Sequence, residues 1–167
     1  MEINYLICFA TALIPLIVGS IWYNPKVFGS VWMRASGVTE AQIQSGNMAF
    51  IFGLVYILGI LLSFFFTSFA IHQSAVDGLF LTQPGIVDGS DQVMINFVET
   101  FHATYGDLHR SFGHGAVHGG LAAVVVALPV IAINALFERR GGKYIGVHFG
   151  YWFITFILMG GAVCELA

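Results

Sequence analysis

The chain of 167 residues predicts an all-α membrane protein with four transmembrane helices and an outer amphipathic helix between spans 2 and 3. Three observations carry this. Hydrophobic residues make up 57% of the chain and charged residues 9%, whereas a soluble domain carries roughly 25% charge. Four apolar stretches recur along the sequence, each about 20 residues long and able to cross a hydrocarbon layer of about 30 Å. The bases gather in two of the three connections, as they do in a membrane protein of defined orientation. An ordinary soluble enzyme, a nucleic-acid binder and a disordered chain are disfavoured together. The net charge of −3 is small and mixed, so no nucleic-acid partner is expected and membrane lipids are.

The first span is expected over about Asn4–Tyr23. It stops at Asn24-Pro25, because the residue before a proline is pushed out of helical geometry. Met1-Glu2-Ile3 offers no basic leader and no small-residue cleavage site, so this span reads as retained. The connection over 24–47 contains Phe28 and Trp32, and Thr39-Glu40-Ala41-Gln42 fits a capping box that opens another helical turn. The second span, about Met48–Ala70, has no charge.

The loop over 71–113 opens with turn signals at Asp77-Gly78, Pro84-Gly85 and Asp88-Gly89. Ser90 then caps an amphipathic segment. Val93, Met94, Phe97, Val98 and Phe101 share one face, and Asn96, Glu99, Thr100 and Ala103 the other. The third span covers about Gly115–Phe137, and Glu138 to Gly142 make a turn short enough to force an antiparallel hairpin with the fourth span, about Tyr144–Val163. The whole chain, 1–167, reads as one four-span membrane domain. Trp22, Tyr23, Trp32 and Tyr144 gather at one set of span ends as an interfacial belt, while Tyr151 and Trp152 sit deeper as packing residues. Pro15 and Pro129 should kink their helices, each freeing a carbonyl that needs another donor.

Lys26, Arg34, Arg139, Arg140 and Lys143 lie on one side with Glu40 and Glu138, and Arg110 alone lies on the other with seven acids, Glu2, Asp77, Asp88, Asp91, Glu99, Asp107 and Glu165. The positive-inside rule then places both termini and 71–113 outside, with 24–47 and 138–143 cytoplasmic. The expected location is a cell membrane, a bacterial inner membrane first. Cys8 and Cys164 fall in or beside apolar runs on one side, reading as buried free thiols with a pairing left open.

Lipid gives helices no hydrophobic reason to associate, so small residues must supply close packing. Gly115 and Gly119 form one GxxxG pair, level with Gly160 and Gly161. Gly146 and Gly150 form another, level with Ala132 and Ala135. Packing within the chain is the first reading and a subunit interface the second. Asn134 and His148 are level on facing helices and are expected to bond to each other or share a water. No Asp, Glu, Lys or Arg lies within a span, which counts against a carboxylate-based proton or sodium transporter and a voltage sensor.

Five of six histidines lie on the outer side: His72, His102, His109, His114 and His118. His114 and His118 share a helix face, with Cβ atoms about 6 Å apart. Two such imidazoles chelate a divalent transition metal (zinc, copper or iron) if further ligands converge. Folding the amphipathic helix over the bundle would bring Glu99, His102 and His109 toward them. Hydrogen bonding to backbone or lipid headgroups is the competing use, and protonation below about pH 6.5 another.

Gly19-Ser20-Ile21-Trp22-Tyr23-Asn24-Pro25, Phe28-Gly29, Trp32-Met33 and Gly37 are followed by Leu128-Pro129, Asn134-Ala135-Leu136-Phe137-Glu138, Gly150-Tyr151-Trp152 and Met159-Gly160. Together these passages resemble a family of small bacterial and fungal integral membrane proteins known as a domain of unknown function, number 1761. The resemblance implies a four-helix membrane fold and brings no activity, substrate or catalytic residue. Nothing about the histidine-bearing loop is inherited from it. The expected function is that of a small multi-pass membrane protein, self-associating or serving as an accessory or scaffold subunit of a membrane assembly. A histidine-rich metal-binding protein at the outer face and an oligomeric small-solute channel are the alternatives, and no residue is singled out as catalytic.

Overall fold

The computed structural model describes residues 3–167, so the readings placed on Met1 and Glu2 lie outside the described residues. Those residues fold into helices with no strand among them. Four stretches are long and apolar enough to cross a membrane: Tyr5–Trp22, Met48–Ala70, Phe112–Phe137 and Gly142–Leu166.

The first stretch is two helices, α1 (Tyr5–Thr11) and α2 (Ile14–Trp22), with Ala12 and Leu13 in a turn between them. Pro15 explains the break, since it lacks an N–H and its ring excludes the carbonyl of Thr11 four residues earlier. The connection holds a π-helical turn (Pro25–Gly29), α3 (Ser30–Ser36) and α4 (Glu40–Ser45). The capping box forms at α4. The Thr39 amide donates to Gln42 Oε1 at 2.9 Å and the Gln42 amide to Thr39 Oγ1 at 3.3 Å. α5 (Met48–Ala70) follows, capped by Asn47.

Residues 71–111 are more helical than their turn signals suggest, with α6 (Gln73–Phe80), α7 (Pro84–Val87) and α8 (Gln92–Tyr105). Asp77-Gly78 lies inside α6. Contacts to α8 override its weak propensity: Phe80 meets Phe97 at 5.5 Å between ring centroids, and Asp77 meets His102. Asp91, not Ser90, caps α8 by accepting from the Met94 amide at 2.9 Å, while the Ser90 amide donates to Asp88. Along α8, Val98 is buried and Val93 and Phe97 are exposed, so part of its apolar face lies away from the protein.

The third stretch joins α9 (Phe112–Ala122) to α10 (Leu128–Phe137) through a π-helical turn over Ala123–Ala127. This turn absorbs the register lost to Pro129. α10 ends in a Schellman motif. The Arg140 amide donates to Ala135 O at 2.8 Å and the Arg139 amide to Leu136 O at 3.2 Å, with Arg139 left-handed at φ 59°. α11 (Gly142–Leu166) then returns through the centre, where 50% of its apolar window is buried against 17% for α5.

Close approach sets the α9–α11 pair. A Cβ on Gly119 would overlap the Phe156 carbonyl, and one on Gly115 would overlap the Gly160 carbonyl. Gly150 instead receives the Trp22 indole and Gly146 faces open space, so the pairing of this motif with Ala132 and Ala135 is not what packs it. Asn134 is exposed, and His148 bonds to Tyr23 in its place, Nδ1 to Oη 3.2 Å. The aromatic belt is also drawn inward: Trp22 stacks on Phe28 and donates Nε1–H to Val147 O at 3.0 Å, and Tyr23 packs on Trp32 and Tyr151. Polar side chains cross-link the helices at depth. Thr11 Oγ1 and Ser63 Oγ are 2.8 Å apart, and Tyr151 Oη donates to Pro15 O at 2.9 Å.

The two ends of the bundle differ. The end carrying both termini, joined by Asn4 N–H to Ala167 O at 3.0 Å, holds the dense core of Cys8, Phe66, Ile71, Met159, Val163 and Cys164. Both cysteines are buried free thiols. The opposite half holds an open cleft of ≈ 830 Å³.

Candidate metal centre

The densely packed end gathers four histidines from three separate stretches of chain. Ser111 starts α9 by accepting from the His114 amide at 3.3 Å. His114 and His118 then fall one turn apart on the same face, with ring centroids 4.6 Å apart. His72 follows the last turn of α5, where the chain leaves the bundle. Its Nε2 lies 3.0 Å from Nε2 of His114, and its ring is 4.9 Å from that of His118. One nitrogen from each of His72, His114 and His118 falls within a common 4.8 Å.

His109 is placed differently. It stands just before α9 in a left-handed conformation, φ 62°, a region in which histidine is enriched over most side chains. Its ring stacks on His114 at 5.1 Å and 19°, covering that ring rather than joining the three convergent nitrogens. Two anchors, buried Gln73 and half-buried Arg110, hold this segment. Gln73 donates through Nε2 to Tyr105 O at 2.7 Å and Leu108 O at 2.8 Å, and Arg110 Nε donates to Cys164 O at 2.7 Å. His72-Gln73 is therefore a two-part device. One side chain enters the cluster while its neighbour pins the segment carrying His109.

Of the residues the sequence singles out, His114 and His118 converge, His109 lies beside them, and His102 and Glu99 do not take part. His102 Nε2 is engaged by Asp77 Oδ1 at 2.6 Å, and Glu99 is exposed on α8. α8 packs on α6 and α7 rather than over α9, which keeps Glu99 and His102 off the cluster. The residue missed was His72. Its signal was its level: the residue two past the end of one span and those at the start of the next are at the same membrane depth.

Three convergent imidazoles match a transition-metal site in kind and in spacing. A zinc–nitrogen distance of about 2.0–2.1 Å sets two nitrogens of a tetrahedral site about 3.3 Å apart, close to the 3.0 Å between His72 and His114. His118 Nδ1 is buried with no partner among the described residues. Without a cation, a 3.0 Å nitrogen pair must place a proton on one ring and a lone pair on the other. His72 is exposed, so the cluster is reached from the surface. A cavity of ≈ 290 Å³ adjoins it and shares His72 and His109 with it.

Fold and site together define an all-helical protein whose four apolar helices fit a multi-pass membrane protein, with a histidine cluster at the end bearing its termini. The chain belongs to the family described as Protein of unknown function (DUF1761), whose model matches residues 6–164. No curated protein and no solved structure matches it.

Proposed function

We propose that this is a metal-binding membrane protein that takes a divalent transition metal, zinc foremost, at His72, His114 and His118, with a fourth coordination position left open. The observation that carries the reading is the convergence of three imidazole nitrogens within 4.8 Å, from residues 42 positions apart in sequence. Imidazole suits zinc, copper and iron, and three protein ligands with one free position are the ligand set of zinc sites that bind a further molecule. The neighbouring ≈ 290 Å³ cavity offers room for such a molecule. His109 acts as a cover stacked on His114. The basic connections support an orientation with the cluster on the outer face, where a metal arriving from outside would meet exposed His72.

Elemental analysis and zinc titration of the purified protein test this. One zinc per chain is expected, with affinity falling by more than about a hundredfold in His72→Ala, His114→Ala or His118→Ala, beyond what outer partners of a metal site are worth. His102→Ala and Glu99→Gln should leave it unchanged. Metal-free protein, or equal loss in all five variants, would reject the site.

Self-association has less to draw on within the chain, because Gly115, Gly119 and Gly160 are used to pack α9 on α11, leaving Gly146 as the motif glycine open to a second copy.

A further inference from the structure

Resting on the zinc reading above, we propose that the groove beside the histidine cluster holds the molecule that fills the open coordination position. That molecule is an apolar-tailed acyl compound bearing an N–H, an amide or a hydroxamate. Its carbonyl oxygen meets the metal, its N–H donates to Gln73 Oε1, and its tail lies along Phe101 and Leu108.

Gln73 specifies the polar end. Its Nε2 faces two backbone carbonyls, Tyr105 O at 2.7 Å and Leu108 O at 2.8 Å. Only the NH2 group can serve two acceptors, so the side-chain orientation is fixed and the remaining atom is the oxygen. No donor among the described residues reaches that oxygen. The side-chain polar atoms sealed off without a partner are His102 Nδ1, His118 Nδ1 and His148 Nε2 among the described residues, and Gln73 Oε1 is not one of them. Gln73 is 4% exposed and lines the groove, so the groove is what Oε1 opens onto. An acceptor in an apolar groove is costly until a donor reaches it. A carboxylate would turn a second oxygen toward Oε1, whereas an amide nitrogen brings a proton.

The other walls set shape and entry. At ≈ 290 Å³ the groove is near the lower limit of small-molecule sites, which span roughly 300–1,000 Å³. No Asp, Glu, Lys or Arg lines it, and Phe101, Tyr105 and Leu108 give it an apolar surface. His72 belongs to both groove and cluster, which joins the polar end to the metal. Tyr105 and Leu108 are about half exposed, so the tail has a way in from outside.

Calorimetric titration of the purified, zinc-loaded full-length protein in detergent with octanohydroxamic acid tests this. Saturable binding at one per zinc is expected, with metal-free protein as the blank. N-methyl-octanohydroxamic acid keeps both metal-binding oxygens but has no N–H, and should bind about tenfold more weakly, the worth of one buried hydrogen bond. Acetohydroxamic acid, without the tail, should lose more than about tenfold. Gln73→Met keeps the side-chain length but removes the acceptor, and should bring the methylated and parent compounds to equal affinity. Leu108→Asn leaves the backbone anchor in place and should weaken octanohydroxamic acid severalfold while leaving acetohydroxamic acid unchanged. Equal binding of the methylated and parent compounds by the wild type, or of the tailed and tailless ones, overturns the proposal. Either result with one zinc still bound per chain leaves the metal site standing, whereas a chain that takes up no zinc removes both.

Discussion

Arg139 sits just past the last turn of α10 at φ 59°, where glycine is the usual occupant. A side chain there crowds its own carbonyl, at a cost of about 1–2 kcal/mol. Arg139→Gly should therefore leave the hairpin intact and raise stability by up to about 1 kcal/mol, whereas Arg139→Val should lower it. Thermal melting in detergent, followed by circular dichroism, separates the two. His102 makes the same point about neighbours. Its position in an ExxH pair suggests a ligand, yet Asp77 engages Nε2 at 2.6 Å, with both side chains at least four-fifths buried. At the turn before α8, hydrogen bonds from Ser90, its hydroxyl first and its amide second, hold the Asp88 carboxyl below the usual range. A depressed folded value stabilises above the unfolded one and is lost as pH falls through it. A carboxyl titration by NMR should find Asp88 low, and Ser90→Ala should bring it back up.

Among the elements, α9 and α11 depend on backbones in contact rather than on side chains interleaved. Gly119→Ala would drive a methyl into the Phe156 carbonyl and should cost about 1–3 kcal/mol or more. Gly146→Ala meets open space and should be neutral or stabilising, since alanine is favoured over glycine in a helix interior by roughly 1 kcal/mol. Thermal midpoints of the two variants should therefore fall on opposite sides of the wild type. The sequence marks both GxxxG pairs alike. What separates them is the neighbour each meets: Gly160 for Gly115, as their common level on the two helices suggests, and the Trp22 indole for Gly150, which no spacing rule contains. Proline carries its message locally, so the break before Pro15 and the π-helical turn before Pro129 are readable without a partner helix.

At the scale of the whole molecule, both termini share one end with the histidine cluster, and the opposite end holds the larger cavity. The basic connections favour termini outside, and this orientation is open to a direct measurement. Asp88→Cys should react with a membrane-impermeant maleimide added to intact cells, against a quiet background because Cys8 and Cys164 are buried. Labelling only after the cells are broken would invert the orientation and turn the histidine cluster to the cytoplasm. Gly146→Leu tests self-association: a smaller native mass in detergent with unchanged helicity would place a second copy against that face.

The number of apolar stretches and the helix breaks follow from the sequence alone, because crossing hydrocarbon requires every backbone group to bond within its own segment. Length, apolarity and proline are local properties, and they place α5 at Met48–Ala70 without reference to any other helix. His114 and His118 were readable for the same reason, being one turn apart on one helix. His72 was not, since it meets them only when α5 and α9 stand side by side. Tertiary structure also decided that Gly150 receives the Trp22 indole, that His148 turns to Tyr23 rather than Asn134, and that a space is left between α2 and α5. Between helices in lipid, the free energy lies in shape and in single hydrogen bonds, and composition encodes neither.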